Sequence, residues 1–400
     1  MQTTNRQSYL DWLRIMAIAG VLFFHSAMPF AAEESWHIKN SETSNLFLEF
    51  NFFMSRFRMP LLFFISGAVA FFMLQKRTAA QFIGLRFRRL FIPLLFGMLL
   101  IVPLQVYMER VNQGFKGNFF QFYPSIFNTG PYPEGNLSWH HLWFVAYLFV
   151  YDVALAPLFK WLIRNKQRLV FFNWLAKGKR VYVLMAPSVI LFAALVVHFP
   201  ETHDLINDWC WFIYWLLFFL TGFICLCFPA LVKSLERNRR TSFGLAFLSI
   251  IIINYLRWNQ LEPFDVLTNW QNDPRTYIYF SLKAVTAWLW VYTAVGYGKR
   301  YLDKKHSVLH YLNSAVYPFY ILHQTVVVVI AYYVVRTTDS ILLKYSFIVL
   351  VSFLLSMAIY HVFIRPFAIT RFLFGSKKEK AETEGERKMA SASEFVPRPL

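Results

Sequence analysis

The sequence predicts an all-α, polytopic integral membrane protein, a bundle of about ten transmembrane helices with both termini in the cytoplasm. Of its 400 residues, 57% are hydrophobic and only 16% are charged, whereas soluble domains of this size carry more charge. Apolar runs repeatedly approach or exceed the roughly 20 residues that are needed to cross a bilayer. Basic residues concentrate in alternate loops between these runs, which is the distribution that the positive-inside rule describes.

The net charge of +18 does not indicate a nucleic-acid partner. The positive residues lie in short loops between apolar runs, and membrane topology accounts for that placement. The lipid bilayer is the predicted partner, and no nucleic acid is expected.

Hydropathy and loop signals predict the position of each span. The ten spans are expected near residues 9–30, 46–74, 88–108, 139–163, 181–199, 209–231, 243–260, 276–297, 308–335 and 341–363. Alternate loops carry most of the lysines and arginines, and the opposite loops carry most of the loop acids. Both termini are therefore expected on the cytoplasmic side.

The chain divides into two regions of different composition. Residues 1–374 contain the predicted spans, and residues 375–400 contain KKEKAETEGERK followed by small residues and proline. A segment of that kind cannot bury an apolar core and is predicted to be a disordered cytoplasmic tail. Its last ten residues resemble an expression-vector remnant.

Three cysteines, Cys210, Cys225 and Cys227, lie in one predicted span. They form neither a disulfide framework nor a metal-ligand pattern, and we interpret them as small apolar residues. No metal site is expected.

Arg14 and His25 lie eleven residues apart in the first predicted span. Eleven residues make about three helical turns, so both side chains fall on one face, roughly 16 Å apart along the axis. Such residues are costly in a membrane unless they face a polar cavity, which indicates a functional site. The alternative is that Arg14 extends to the cytoplasmic surface and His25 hydrogen-bonds a neighbouring helix. Asp11, three residues before Arg14, is expected to pair with it.

Ionisable residues from five spans are predicted at one depth, and a shared water-filled pocket is the economical explanation. Counted from the cytoplasmic ends, His25, Arg58, Arg257, Lys283 and His323 lie at roughly 21–24 Å. Alternatively, Arg257 and Lys283 lie at the outer headgroup boundary. Arg56 is expected on the face opposite Arg58 unless the helix is broken near Pro60.

Arg86 and Arg89 precede the third predicted span and are three residues apart. On an α-helix they share a face, where two guanidinium groups can bind one phosphate. The alternative is that they only set the orientation of the span. Asp152, deep in the fourth span, needs a partner that the sequence does not identify.

Aromatic and histidine residues are predicted on the external side, namely Trp36, His37, His141 and Trp143. Aromatic residues there usually form an interfacial belt, and the alternative is that they line the mouth of a binding cavity.

These motifs together resemble the membrane acyltransferase 3 family. The segment LDWLRIMAIAGVLFFH contains a basic residue and a histidine with ten residues between them. It is followed, in order, by FFISG, by Arg86 and Arg89 before Ile92-Pro93, and by Tyr320-Ile-Leu-His323. The resemblance covers residues 9–370 and is greatest for the branch that succinylates periplasmic glucans. Trp36-His37-Ile38, Phe57-Arg58-Met59 and His141-Leu142-Trp143-Phe144 carry that likeness, whereas Pro60 and Gln324 depart from it.

The resemblance implies an enzyme of the bacterial inner membrane that transfers an acyl group, succinyl or acetyl, from cytoplasmic acyl-CoA to a hydroxyl of an extracytoplasmic glucan or other carbohydrate. Acyl-CoA is then a donor substrate, and no permanently bound cofactor is expected. A histidine is suited to act as the general base for this transfer because its pKa of about 6.5 lies near working pH. The alternative is that His25 carries the acyl group transiently. The alternative function is a secondary transporter or flippase for an anionic solute.

The resemblance also assigns roles by position. Arg14 and His25 match the essential pair, and Arg86 and Arg89 match the CoA-binding arginines, with Arg14 between them and the base. We place His25, Arg14, Arg58 and His323 in the catalytic group and Trp36, His37, His141, Trp143 and Lys283 in the substrate-binding group.

Overall fold

The computed structural model describes residues 7–33 and 35–376, and no β-strand is assigned within them. The longer helices are α1 (Ser8–Ala27), α2 (Asn45–Ser55), α3 (Arg58–Leu74), α4 (Ala79–Asn112), α5 (Trp143–Asn165), α6 (Ala186–Leu195), α7 (Trp209–Cys227), α8 (Pro229–Trp258), α9 (Pro274–Tyr301), α10 (Val308–Val334) and α11 (Ile341–Ile359). Helix α4 contains two π-helical turns, Phe87–Phe91 and Gly97–Ile101, and α11 continues into a third, Tyr360–Ile364. Shorter helical segments are Phe119–Phe122, Ser125–Asn128, His140–Leu142, Val170–Leu175, Arg180–Met185, Pro263–Val266, Trp270–Asn272 and Ala368–Leu373.

Nine helical stretches among the described residues are long and apolar enough to cross a membrane. They confirm an all-helical, multi-span fold, and the tenth predicted span, 181–199, is shorter than expected. It consists of the 3₁₀ segment Arg180–Met185 followed by α6, together about 27 Å long from rises of about 2.0 and 1.5 Å per residue. The Tyr182 hydroxyl lies 2.8 Å from the Ser242 hydroxyl in the first half of α8, so the start of this segment packs against that helix.

Two basic regions that the sequence assigned to loops are helical. Helix α8 begins at Pro229, so Lys233 to Arg240 form its first turns rather than a connection. Helix α4 begins at Ala79 with a capping box between Thr78 and Gln81. Charged side chains do not interrupt a helix where it leaves the apolar layer, and hydropathy therefore places its start too late.

We name the two ends of the bundle by the segments they contain. The basic end contains residues 75–78, 166–179 and 302–307, and the loop end contains residues 28–44 and 113–139.

The buried fraction of each helix identifies the centre of the bundle. In the most apolar window of α10, 78% of residues are buried, against 28% for α11. Large apolar side chains such as Phe353 of α11 and Phe247 of α8 are exposed, as expected for a surface that faces lipid. Polar residues on α10 therefore lie inside the bundle.

Helices α3 and α7 cross in close contact at two glycines. A Cβ atom on Gly67 would overlap the Phe219 carbonyl, and a Cβ atom on Gly222 would overlap the Phe64 carbonyl. Small residues permit this approach of two backbones in a membrane protein. The glycine of the FFISG motif is thus explained by helix packing.

The second predicted span is broken into α2 and α3 at Arg56 and Phe57. Pro60 lies in the first turn of α3, where its missing N–H group removes no helical hydrogen bond. Because the helix is broken here, both Arg56 and Arg58 can face one cavity.

The predicted tail lies mainly outside the described residues, which end at Ser376. The Ser376 hydroxyl donates to the Ser314 carbonyl at 3.3 Å, so the described chain packs against α10 up to that residue.

Candidate active site

Helix α1 makes two polar contacts with α10, one through Arg14 and one through His25. Arg14 Nη2 donates to Asn313 Oδ1, and His25 Nδ1 lies 3.0 Å from His323 Nε2. Both α1 side chains thus face the central helix, as the eleven-residue spacing predicts. Arg14 Nη2 also contacts Asp11 Oδ1 at 3.4 Å, the predicted local pair.

The hydrogen-bond network assigns the tautomers of the two histidines when both rings are neutral. His323 Nδ1 lies 2.7 Å from the Tyr320 carbonyl oxygen, which can only accept, so the proton is on Nδ1 and Nε2 is an acceptor. His25 Nδ1 therefore donates to His323 Nε2. The lone pair of His25 is left on Nε2, which is the nitrogen available as a base.

A cavity of about 440 Å³ lies beside this pair in the loop-end half of the bundle. It is lined by His25, Arg56, Arg58, His141, Trp143, Glu201, His203, Trp211, Tyr214, Trp215, Lys283 and Tyr320, with apolar residues between them. Five predicted site residues are therefore together: His25, Arg58, His141, Trp143 and Lys283. His323 contacts the cavity through His25.

The cavity is basic and its cations are supported by aromatic rings. Its lining includes three side chains that carry a positive charge, Arg56, Arg58 and Lys283, and one carboxylate, Glu201. The Arg58 guanidinium lies 3.2 Å from the centre of the Phe24 ring, a stabilising cation–π arrangement. Walls of this charge attract an anionic substrate.

Aromatic side chains form the wall nearest the loop end. The Trp143 ring lies 4.1 Å from the His203 ring and 6.1 Å from the Trp215 ring. Glu201, His203 and Trp215 were not identified from the sequence, because a short loop and an apolar helix give no signal of a cavity between them.

His141 is fixed to the central helix by its backbone and its ring. Its Nε2 donates to the Ile321 carbonyl at 3.1 Å, and its own carbonyl accepts from the Tyr320 hydroxyl. The ring centres of His141 and His323 are 5.2 Å apart. His141 thereby joins the start of α5 to the histidine pair.

Arg257, which we expected in the shared pocket, is not among the cavity residues. It forms an ion pair with Glu49, which also accepts from the Trp258 indole at 3.0 Å. This prediction is wrong because depth along a helix gives the level of a side chain and not its direction.

Arg86 provides the partner of Asp152. Its Nε lies 2.7 Å from Asp152 Oδ2, and the side chains are 8% and 0% exposed. Arg89 is partly exposed and lies within the π-helical turn Phe87–Phe91, which begins directly after Arg86. The α-helical spacing that placed both arginines on one face does not apply through that turn.

Trp36 and His37 lie in a neighbouring cluster rather than in the cavity wall. His37 Nδ1 contacts Glu109 Oε2, and the His37 and His140 ring centres are 4.6 Å apart. Tyr132 donates to Glu109 at 3.2 Å. Burial and the nearby Glu109 carboxylate raise the pKa of Tyr132 to about 12, so this hydroxyl stays protonated.

Comparison with known proteins identifies the family. The family model described as an acyltransferase domain, of the acyltransferase 3 type, matches residues 7–361. The chain belongs to this family. This acyltransferase is 24% identical to glucans biosynthesis protein C of Escherichia coli K12 and to that of strain SMS-3-5, over 93% of this chain and 95% of each relative. No solved structure gives a significant match.

Proposed function

We propose that this membrane acyltransferase transfers a succinyl or acetyl group from cytoplasmic acyl-CoA to a hydroxyl of an extracytoplasmic glucan, with His25 as general base. The observation that carries the proposal is His25 itself. It lines a basic, aromatic cavity, and the nitrogen that does not contact His323 holds the lone pair.

The chemistry follows from these positions. His25 Nε2 removes the proton of the acceptor hydroxyl while the oxygen attacks the thioester carbonyl. The tetrahedral intermediate then breaks its carbon–sulfur bond, and the CoA sulfur leaves with the proton that His25 returns. Arg58 and Lys283 in the cavity wall supply positive charge for the oxyanion.

Two observations support the identity of the substrates. The relatives carry the name glucans biosynthesis protein C, which favours a glucan acceptor stacked on Trp143. The excess of cations over Glu201 in the cavity favours an acyl group with its own carboxylate, succinyl over acetyl.

The donor is proposed to enter from the basic end, which faces the cytoplasm together with both termini of a ten-span chain. The asymmetry of the loop charges supports this orientation in a bacterial inner membrane. Arg89 and Arg14 are the proposed phosphate-binding groups, and roughly 16 Å separates Arg14 from His25 along α1. The extended pantetheine arm can cover such a distance.

The test is turnover by the purified protein with defined substrates. Succinyl-CoA or acetyl-CoA is supplied with a glucan oligosaccharide. The released free thiol is measured, and the mass of the glucan is determined by mass spectrometry. The proposal expects thiol release that depends on the glucan, with one added acyl mass per thiol. Uptake of an anionic solute into vesicles without thiol release would instead support a transporter.

A further inference from the structure

Two histidines and a glutamate from three separate segments come together at the loop end, beside the cavity. His37 lies between α1 and α2, Glu109 in the last turn of α4, and His140 directly before α5. One ligand atom from each side chain lies within 4.8 Å of the other two. We infer that the three residues bind a divalent transition-metal cation, with Zn²⁺ as the test ion.

The donor set and the spacing both fit zinc. Two imidazole nitrogens and one carboxylate oxygen are a known zinc-binding set, with bonds of about 2.0–2.2 Å. Ligand atoms of a tetrahedral site are then about 3.4 Å apart. The widest separation here, 4.8 Å, needs to close by about 1.4 Å, which a rotation of the side-chain torsions supplies.

His140 is the independent observation that points to a ligand. Its Nδ1 lies 3.1 Å from the Ser138 hydroxyl, whereas its Nε2 is buried and has no hydrogen-bond partner among the described residues. A buried polar atom without a partner is costly. A direct hydrogen bond between His37 and Glu109 explains why those two side chains lie together, but it leaves His140 Nε2 without an explanation for its missing partner.

Neighbouring side chains hold each of the three candidate ligands. Tyr132 and Gln113 donate to Glu109 at 3.2 and 3.3 Å, and Ser138 contacts His140. Gln324 Nε2 lies 3.4 Å from His37 Nε2. Such outer contacts orient metal ligands and tune their affinity.

The site also lies near the pair of His25 and His323, because Gln324, which contacts His37, directly follows His323. Zinc with three protein ligands keeps a fourth position for water or a substrate oxygen. The metal site itself does not depend on the proposed function, since metal binding requires no acyl transfer.

The experiment measures zinc binding to the full chain in detergent, with any affinity tag removed. After treatment with a chelator, the protein is titrated with ZnCl₂ in competition with a chromogenic chelator, and bound metal is counted by elemental mass spectrometry. We expect one zinc per chain. His140→Gln and Glu109→Gln should weaken binding by at least about 100-fold, and His310→Gln, an exposed histidine at the other end of the bundle, should not. Ca²⁺ and Mg²⁺, which prefer oxygen ligands, should not compete.

Two results would overturn the inference. One is a wild-type protein that binds no more zinc than the His140→Gln and Glu109→Gln double variant. The other is single variants that bind zinc as tightly as His310→Gln does. Tyr132→Phe keeps all three ligands and removes one orienting bond, so it should weaken zinc binding by about tenfold; this variant decides the question where a ligand substitution prevents folding.

Discussion

At the scale of single residues, the hydrogen bond between His25 and His323 determines which nitrogen of His25 is available as the proposed base. The Tyr320 carbonyl holds the proton of His323 on Nδ1, and this leaves an acceptor for His25 Nδ1. We therefore expect His323 to act through His25 as a positioning residue, and substitutions of the two histidines to have different effects.

We expect His25→Ala to lower kcat by about 10²- to 10⁴-fold, the usual contribution of a general base. His323→Leu removes the acceptor that orients His25 and should lower kcat less. His323→Gln should restore part of that loss, because its amide oxygen can accept from His25 Nδ1. The measurement is kcat and KM for each variant. A His25→Ala protein with a tenth of wild-type turnover would show that His25 is not the base.

The two arginines at the start of the third span differ in the structure and should differ in experiment. Arg86→Gln leaves the Asp152 carboxylate buried without its partner, and removal of one member of a buried ion pair costs about 3–5 kcal/mol. Its main effect should be a lower melting temperature. Arg89→Gln should instead weaken acyl-CoA binding and reduce the salt dependence of that binding.

Arg88→Gln is the matched control, because Arg88 is an exposed neighbour in the same turn. Acyl-CoA titration and thermal unfolding of the three variants test the difference. Equal acyl-CoA affinity for wild type and Arg89→Gln would leave Arg89 with a role in topology alone.

The sequence could predict which residues lie in or near this site better than which groups each one contacts. The spacing of Arg14 and His25 predicts a shared face, and both do face α10. The spacing of Arg86 and Arg89 also predicts a shared face, but Arg89 lies within a π-helical turn that begins after Arg86, and periodicity cannot detect that turn. Asp152 needed a partner, and only the packing of α4 on α5 identifies it as Arg86.

At the scale of helices, the crossing of α3 and α7 sets the position of the cavity wall. Arg58 begins α3, and Trp211, Tyr214 and Trp215 lie in α7. The two helices keep this relation through the glycine contact at Gly67 and Gly222, and Gly67 is about two and a half turns from Arg58 along α3.

We expect Gly67→Ala and Gly222→Ala each to destabilise the protein by about 1–3 kcal/mol, the usual cost of overpacking. Each new Cβ atom meets a backbone carbonyl, which cannot move without shifting a helix. Gly244→Ala is the control, since nothing lies within 4 Å of its added Cβ atom. All three cysteines are buried, so a thiol-reactive dye reports thermal unfolding. Equal melting temperatures for the three variants would contradict this account.

Hydropathy predicts which residues lie in the membrane layer better than it predicts where each helix begins and ends. It locates all the spans approximately, but α8 runs fourteen residues further towards its N-terminus than the predicted 243–260. Hydropathy also joins α2 and α3 into one predicted span. A helix continues into water when its polar residues are solvated, and a break inside an apolar run leaves no hydropathy signal.

At the scale of the whole molecule, the proposed groups follow an order from the basic end to the loop end. Arg89 and Arg14 lie in the basic-end half, His25 lies beside the cavity, and Trp143 with His203 lies on the loop-end wall. This order gives each substrate its own approach. In the proposed reaction, the acyl thioester extends along α1 from the basic end and the glucan enters from the loop end, so the CoA phosphates need not cross the bilayer.

Sealed proteoliposomes of known orientation test this arrangement. Product should form only when acyl-CoA is on the side of the basic end and the glucan on the opposite side. In detergent, Trp143→Ala should raise the KM for the glucan far more than the KM for acyl-CoA, because the proposed stacking of the glucan's sugar rings on Trp143 takes place in the loop-end wall of the cavity. Trp174→Ala, in the segment Val170–Leu175 at the basic end, is the control and should change neither KM. Equal turnover with both substrates on the side of the basic end would exclude transfer across the membrane and leave the family assignment intact.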